Sequence, residues 1–240
     1  LAIARAIGDR IGEGTVLGNM GVQTNHVGHY SRSCELFEQS LQIARETDDP
    51  TGVNINLLNL AVVMVYLNNT DEALRLFDEA LAGVAETGDR PLEGYILSGI
   101  GMALLWAGRS SEALSPLRQA IELRLELGQH HLVVESRAYL AQALAAEGYL
   151  AEAAEAAGMV LDFLQHGRLD EAEDLLRILL AIYWALDAAQ DSRAPAVLHR
   201  AYDELQSLAA RLDEELRQQY FDNVSWNRTI LALWAERAGA

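Results

Sequence analysis

The feature that most constrains this chain is a period of 40 residues. Set against itself at that offset, the sequence brings into register Phe37, Phe77 and Leu117, then Leu41, Leu81 and Ile121, then Gly21, Ala61, Gly101 and Ala141. A period of this length marks a supersecondary unit that cannot bury its apolar face alone and so stacks on copies of itself. Within each unit the small residues form two sets, Gly21/Ala61/Gly101/Ala141 and Ser33/Ala73/Ala113/Ala153, as close crossing of two helices requires. Between them stands Gly28, Asn68, Gly108 or Gly148, residue types that accept the left-handed backbone ending a helix. Each unit therefore reads as an antiparallel helical hairpin, and the chain as all-α.

In-register repeats are expected over residues 11–48, 50–88, 91–128 and 129–165. Residues 1–10, LAIARAIGDR, align with LQIARETDDP at Leu41–Pro50 and with LAGVAETGDR at Leu81–Arg90. They read as the end of a preceding repeat, and the chain as a fragment of a longer protein. Residues 168–212 read as a divergent fifth hairpin with Tyr183, Trp184 and Tyr202 as packing area, and residues 213–240 as a C-terminal cap of one or two helices. The whole is taken as a single solenoid. Pro50 and Pro91 suit helix starts. Thr70 and Ser110 are candidate N-caps, followed by Asp71, Glu72 and Glu112, carboxylates that complement a helix dipole. Pro116 falls inside a second helix, which it is expected to kink or delay. In the fourth unit Arg137 and Ala157 replace bulky apolar residues.

The repeat resembles the tetratricopeptide repeat in its long, roughly 40-residue form. The signature of its first helix is matched by Leu17, Met20, Gly21 and Thr24, by Leu57, Leu60, Ala61 and Met64, and by Leu97, Ile100, Gly101 and Leu104; that of its second helix by Ala73, Phe77 and Ala80. The resemblance implies a right-handed superhelical solenoid of helical hairpins, ended by a capping helix and used for binding rather than chemistry. The stretch Tyr220–Val224 with Arg228 looks like the ends of repeat regions in MalT-like STAND signalling ATPases and transcription regulators of bacteria.

Charge and composition narrow the partners. The 35 acidic residues outnumber 18 basic ones for a net charge of -17, which disfavours nucleic acid and anionic membranes. Every basic residue is Arg, so a P-loop lysine and a Schiff-base lysine are excluded. Cys34 stands alone, which excludes an internal disulfide and a thiolate metal cluster and fits a reducing, cytoplasmic setting. The longest uncharged run, Thr51–Thr70, contains five Asn and reads as a repeat helix, not a membrane span.

On each first helix, positions spaced by 4, 3 and 4 form one stripe expected to line the concave surface. The stripe contributes Asn19, Val22 and His26 with Gln23 beside them, then Asn59, Val62 and Tyr66, then Tyr95, Met102 and Trp106, then Tyr139 and Gln142. These residues are the candidate groove for a peptide or protein partner. Gly14–Gly28, Thr51–Thr70 and Gly94–Ala107 contain no Asp, Glu or Arg, so their inner face is expected to be shielded from water or contacted by a partner. Asn19 and Asn59 resemble the asparagine ladder of kinesin light chain and Pins-like scaffolds, in which amides hold a peptide backbone; the ladder lapses at Gly99 and Tyr139. The bland alternative is that these Asn bridge neighbouring helices.

No catalytic residue, metal site or cofactor is expected. His26 with His29, and His130 with His131, lack the i, i+4 spacing and carboxylate partners of a helical metal site. Glu171/Glu173/Asp174 and Asp213/Glu214/Glu215 read as solvated faces rather than acid–base pairs. The leading expectation is a non-enzymatic, protein- or peptide-binding regulatory part of a larger bacterial-type signalling protein, its partner a protein or peptide segment or a domain of the same protein. The alternatives are a sensor arm for a small effector, favoured by a pocket walled by Tyr95, Trp106 and Tyr139, and a self-association module.

Overall fold

The computed structural model describes residues 1–166 and 175–238. These form thirteen α-helices and no strand. In chain order they are α1 (Ala2–Ile7), α2 (Arg10–His26), α3 (Tyr30–Glu46), α4 (Pro50–Tyr66), α5 (Thr70–Thr87), α6 (Arg90–Trp106), α7 (Ser110–Glu126), α8 (His130–Ala146), α9 (Leu150–His166), α10 (Leu175–Ala188), α11 (Ala194–Ala209), α12 (Glu214–Asn223) and α13 (Ser225–Ala238). The chain divides into two compact units, Leu1–Ala103 and Leu104–Ala240.

The 40-residue period governs every helix start from Arg10 to Leu150: first helices begin at residues 10, 50, 90 and 130, second helices at 30, 70, 110 and 150. Backbone handedness enforces this rhythm. The predicted turn residues Gly28, Asn68, Gly108 and Gly148 all have positive φ, and a second series, Gly8, Asp48, Gly88 and Gly128, does the same between hairpins. Two corrections concern helix ends. Thr70 and Ser110 are first helical residues rather than N-caps, and the Asn69 and Arg109 side chains before them make no capping bond. Capping falls on three of the four first helices: Asp9 accepts from the Gly12 amide, Asp49 from that of Gly52 and Asp89 from that of Leu92, whereas Gln129 before α8 makes no such bond. Pro116 does not delay its helix, for α7 starts on schedule at Ser110 and runs through it.

In the first unit the small-residue sets do what close crossing demands. A Cβ at Gly21 would stand 2.7 Å from the buried Phe37 ring. Ser33 Oγ donates to the Gly21 carbonyl at 2.7 Å, and Ser40 Oγ to that of Gly14 at 2.8 Å, so neither buried hydroxyl lacks a partner. Leu17, Leu36, Phe37, Leu57 and Phe77 fill the space between, each burial contributing about 1.5–3 kcal/mol.

In the second unit α7, α8 and α9 pack in sequence and α10 packs on α8 and α11. The Arg124 guanidinium is fully buried and donates to the Leu132 carbonyl at 2.6 Å and to Ser136 Oγ at 2.7 Å, tying α7 to α8. Arg137 is half-buried, and burial pushes its guanidinium below its ordinary value; Ala157 is fully buried. The part of the expected fifth hairpin before Leu175 lies outside the described residues; α10 and α11 form the rest. The end of the chain is two helices. α13 lies on α11 and α10, where Trp234 stacks on Tyr202 with ring centres 4.6 Å apart and on His199 at 5.1 Å. Arg237 pairs with Asp187 and lies over the Tyr183 ring. Asn227 is fully buried and donates to the Tyr220 carbonyl at 3.0 Å, fastening α13 to α12.

Candidate functional site

What each stripe residue can touch depends on how its helix is packed. On α2, Thr15, Asn19, Gln23 and His26 are exposed and Val22 is half-buried, while Met20 beside them is 39% exposed. On α4, Ile55 is exposed and Asn59, Val62 and Tyr66 are half-buried. The Tyr66 ring leans on Tyr30 with centres 5.3 Å apart, which fixes the end of α4 against the start of α3. No Asp, Glu or Arg lies on this face, so it presents amides, an imidazole and apolar side chains. An amide both donates and accepts, as a peptide backbone requires of a partner.

The acid of α2, Glu13, is buried away from water and receives Arg5 Nε and Arg10 Nη1, both at 2.7 Å. Hydrogen bonds from Arg5 first and Arg10 next hold its carboxyl below the usual carboxylate range. Arg10 also bonds Glu46 on α3, so the charge is consumed within the scaffold.

Further along, the stripe changes character. Tyr95 on α6 is half-buried, but Gly99 is buried so close to Phe77 that a Cβ would come within 2.6 Å of the ring. Met102, expected on an open groove, is instead buried at 3% exposure, because α6 is enclosed from Ile96 to Leu105 with only Ile100 half-buried. Tyr139, expected there too, is 2% exposed: its helix α8 is packed against both α9 and α10. For Met102, shielding rather than a free binding face explains the missing charge of its helix; Tyr139 is shielded on a helix that carries Glu135 and Arg137. Gln142 is half-buried, and its side-chain oxygen accepts no hydrogen bond among the described residues.

Trp106, half-buried at the end of α6, meets Trp226 from the start of α13, their rings 6.2 Å apart and tilted at 47°. The Trp226 ring also carries the Arg177 guanidinium at 5.4 Å, a cation–π contact. Arg177 reaches Glu135 at 3.4 Å, and the Tyr139 hydroxyl donates to the same carboxylate at 3.4 Å. In the second unit, therefore, the chain's own C-terminal helix covers predicted stripe residue Trp106. Sequence reading missed Arg177 and Trp226; the available signal was that Arg177 is the lone charge in the apolar run from Leu175 to Leu186.

Other candidates resolve simply. His26, His29, His130 and His131 are exposed, and among the described residues no three His, Cys, Asp or Glu side chains are grouped to hold a metal ion. Asp213 caps α12 by accepting from the Leu216 amide, and Glu214 pairs with Arg217, while Glu171, Glu173 and Asp174 lie outside the described residues. Cys34 is buried, and burial pushes its thiol up. No described helix is long and apolar enough to cross a membrane.

The sequence model of the tetratricopeptide repeat matches residues 12–86 and, shifted by the same 40 residues, 52–126. Residues 12–126 are tetratricopeptide repeats. Among curated proteins no sequence relative matches. Among solved structures the array is similar to a Rap protein complexed with Competence and Sporulation Factor, with a TM-score of 0.63 at 16% identity over 95% of this chain and 66% of that one. It is similar to aspartyl phosphate phosphatase F from Bacillus subtilis, with a TM-score of 0.70 at 16% identity over 95% of this chain and 59% of that one. A putative kinesin light chain from Podosopora anserina gives a TM-score of 0.58 at 20% identity, covering 83% of this chain and 96% of that one. At such identities the shared property is the fold. The array spans less than two thirds of the length of the Rap protein and of phosphatase F.

Proposed function

We propose that the array is a non-enzymatic scaffold that binds a peptide segment or partner protein on the first-helix face of α2 and α4, through Asn19, Gln23, His26, Asn59, Val62 and Tyr66. The observation that carries this reading is a charge-free face, rich in amides and apolar groups, exposed on α2 and half-buried on the next first helix, α4, in an otherwise acidic chain. The Rap protein of similar fold, crystallised with Competence and Sporulation Factor, supports binding as the use of such a scaffold. In this reading the array is a regulatory part of a larger, cytoplasmic bacterial signalling protein, and the partner is another protein or another domain of the same one. Neutral hydrogen bonds and apolar contacts dominate recognition, so affinity changes little with salt.

The test immobilises the array and an Asn19→Ala/Asn59→Ala variant of equal helicity, then identifies proteins retained from the source cells by mass spectrometry. A protein held by the parent in low and high salt and lost by the variant supports the assignment. Equal retention by both, or none by either, refutes it and favours a small-effector sensor arm or self-association, which light scattering at several concentrations separates.

A further inference from the structure

Away from that face, the first unit holds a recess where the ends of α3 and α5 flank the first turns of α4. Its volume is about 470 Å³, within the range of ligand sites, roughly 300–1,000 Å³. Asn54 and Leu57 of α4 and Gly83 of α5 line it, and its rim carries Asp48, Glu86 and the Arg45–Glu79 ion pair.

Two independent observations point to an occupant. Asn54 is 3% exposed, yet its side-chain N–H group donates to nothing among the described residues. Its carbonyl end abuts α5 so closely that a Cβ at Gly83 would stand 2.1 Å from the amide oxygen, so the amide is wedged in place. Buried amide donors in folded proteins almost always find an acceptor, and this one finds none among the described residues. The second observation is charge. Asp48, Asp49, Glu79 and Glu86 surround the recess; Glu79 is engaged by Arg45 and Arg75 and Asp49 caps α4, which leaves Asp48 and Glu86 as its uncompensated charges. Neither Asp48 nor Glu86 meets a cation among the described residues, and the C-terminal ends of α3 and α5 add negative partial charge.

We propose that this recess is a second binding site, distinct from the α2/α4 face, for a peptide segment containing arginine or lysine. A backbone carbonyl of the segment accepts from Asn54, its basic group lies between Asp48 and Glu86, and its methylenes rest on the half-buried Val53. Unlike the neutral face, this site binds through charge and weakens as salt rises.

The probe is N-acetylarginine methylamide, added to the isotope-labelled array, with the neutral N-acetylcitrulline methylamide as its control. The expected result is a saturable shift of the Asn54 side-chain amide and Gly83 backbone amide signals. Affinity falls about tenfold for the citrulline probe, and similarly for an Asp48→Asn/Glu86→Gln variant, as loss of a charge-assisted contact implies. Gly83→Ala puts a methyl where the amide sits and abolishes the shift; should that variant fail to fold, the exposed Asp48/Glu86 pair carries the test. Unmoved Asn54 signals, or equal binding of the two probes, overturn the proposal. Either result leaves the α2/α4 reading to its own experiment.

Discussion

Gly99→Ala offers a test of the packing logic in which the sign of the effect depends on one neighbour. Alanine in place of glycine inside a helix is favourable by about 1 kcal/mol. At residue 99, however, the added carbon would stand 2.6 Å from Cε1 and 2.7 Å from Cζ of Phe77, against about 3.5–4.0 Å for an ordinary carbon–carbon contact. Phe77 is fully buried, so its ring has no empty space to enter. Overpacking of this kind costs about 1–3 kcal/mol, and the substitution is expected to destabilise by up to about 2 kcal/mol. Phe77→Leu removes both clashing atoms, and Leu117 occupies the same register in the next repeat. In that background Gly99→Ala keeps only its helix-forming gain and becomes stabilising, a coupling of about 1–3 kcal/mol between the two sites. Urea unfolding followed by circular dichroism measures the four stabilities, and amide exchange in α5 and α6 locates the change, since repeat arrays open unit by unit. The same effect of Gly99→Ala in both backgrounds would refute the reasoning.

Three further outcomes are expected. Asp49→Ala removes the acceptor 3.0 Å from the Gly52 amide and costs about 1 kcal/mol, read as faster exchange of the first-turn amides of α4; unchanged protection there counts against the cap. Trp226→Ala uncovers Trp106, so acrylamide quenching of the Trp106 emission rises in a chain whose Trp184 and Trp234 are phenylalanine; unaltered quenching shows the contact to be absent in solution. Hydrogen bonds from Arg193 lower the Asp191 carboxyl from 3.8 to about 2. A lowered folded-state value contributes stability that is fully present above the ordinary one and lost as pH falls through the lowered one. The stability gap between parent and Asp191→Asn is therefore expected to close between about pH 4 and pH 2, and a gap independent of pH over that window would exclude the pair as its source.

The repeat was legible because one physical requirement recurs every 40 residues: small residues at a helix crossing, then a residue tolerant of positive φ. Helix starts at Pro50 and Pro91 were legible within a residue of α4 and α6. The second series of left-handed residues was less so, since Asp48 interrupts its glycines, and the aspartate caps at residues 9, 49 and 89 were overlooked in favour of Thr70 and Ser110. Helical spacing identified the stripe but not what each part of it meets. Asn19 and Gln23 face water, whereas Met102 and Tyr139 on the same nominal stripe are buried. The contact of Trp226 with Trp106 joins residues far apart in the chain with no shared period, so no local pattern announces it. Nor does a spacing rule reveal that Asn54, one amide among five in its run, is the one whose nitrogen is buried with no acceptor among the described residues.

The even spacing of left-handed residues has a consequence for how such a chain changes over generations. Between Asp9 and Asn69 every helix is 17 residues long and every turn takes three, so each helix has the same length, about 25 Å. Loss of one residue inside α4 would rotate everything beyond it by about 100°, turning Leu57 or Ala61 away from its neighbours. Excision of residues 51–90 would instead carry Pro50 directly to Pro91, both at helix starts, and leave every later side chain in phase. A gene for this chain is thus brittle to small insertions within helices, forgiving of them at Gly28, Asp48, Asn68 and Gly88, and free to gain or lose a whole hairpin in one recombination event.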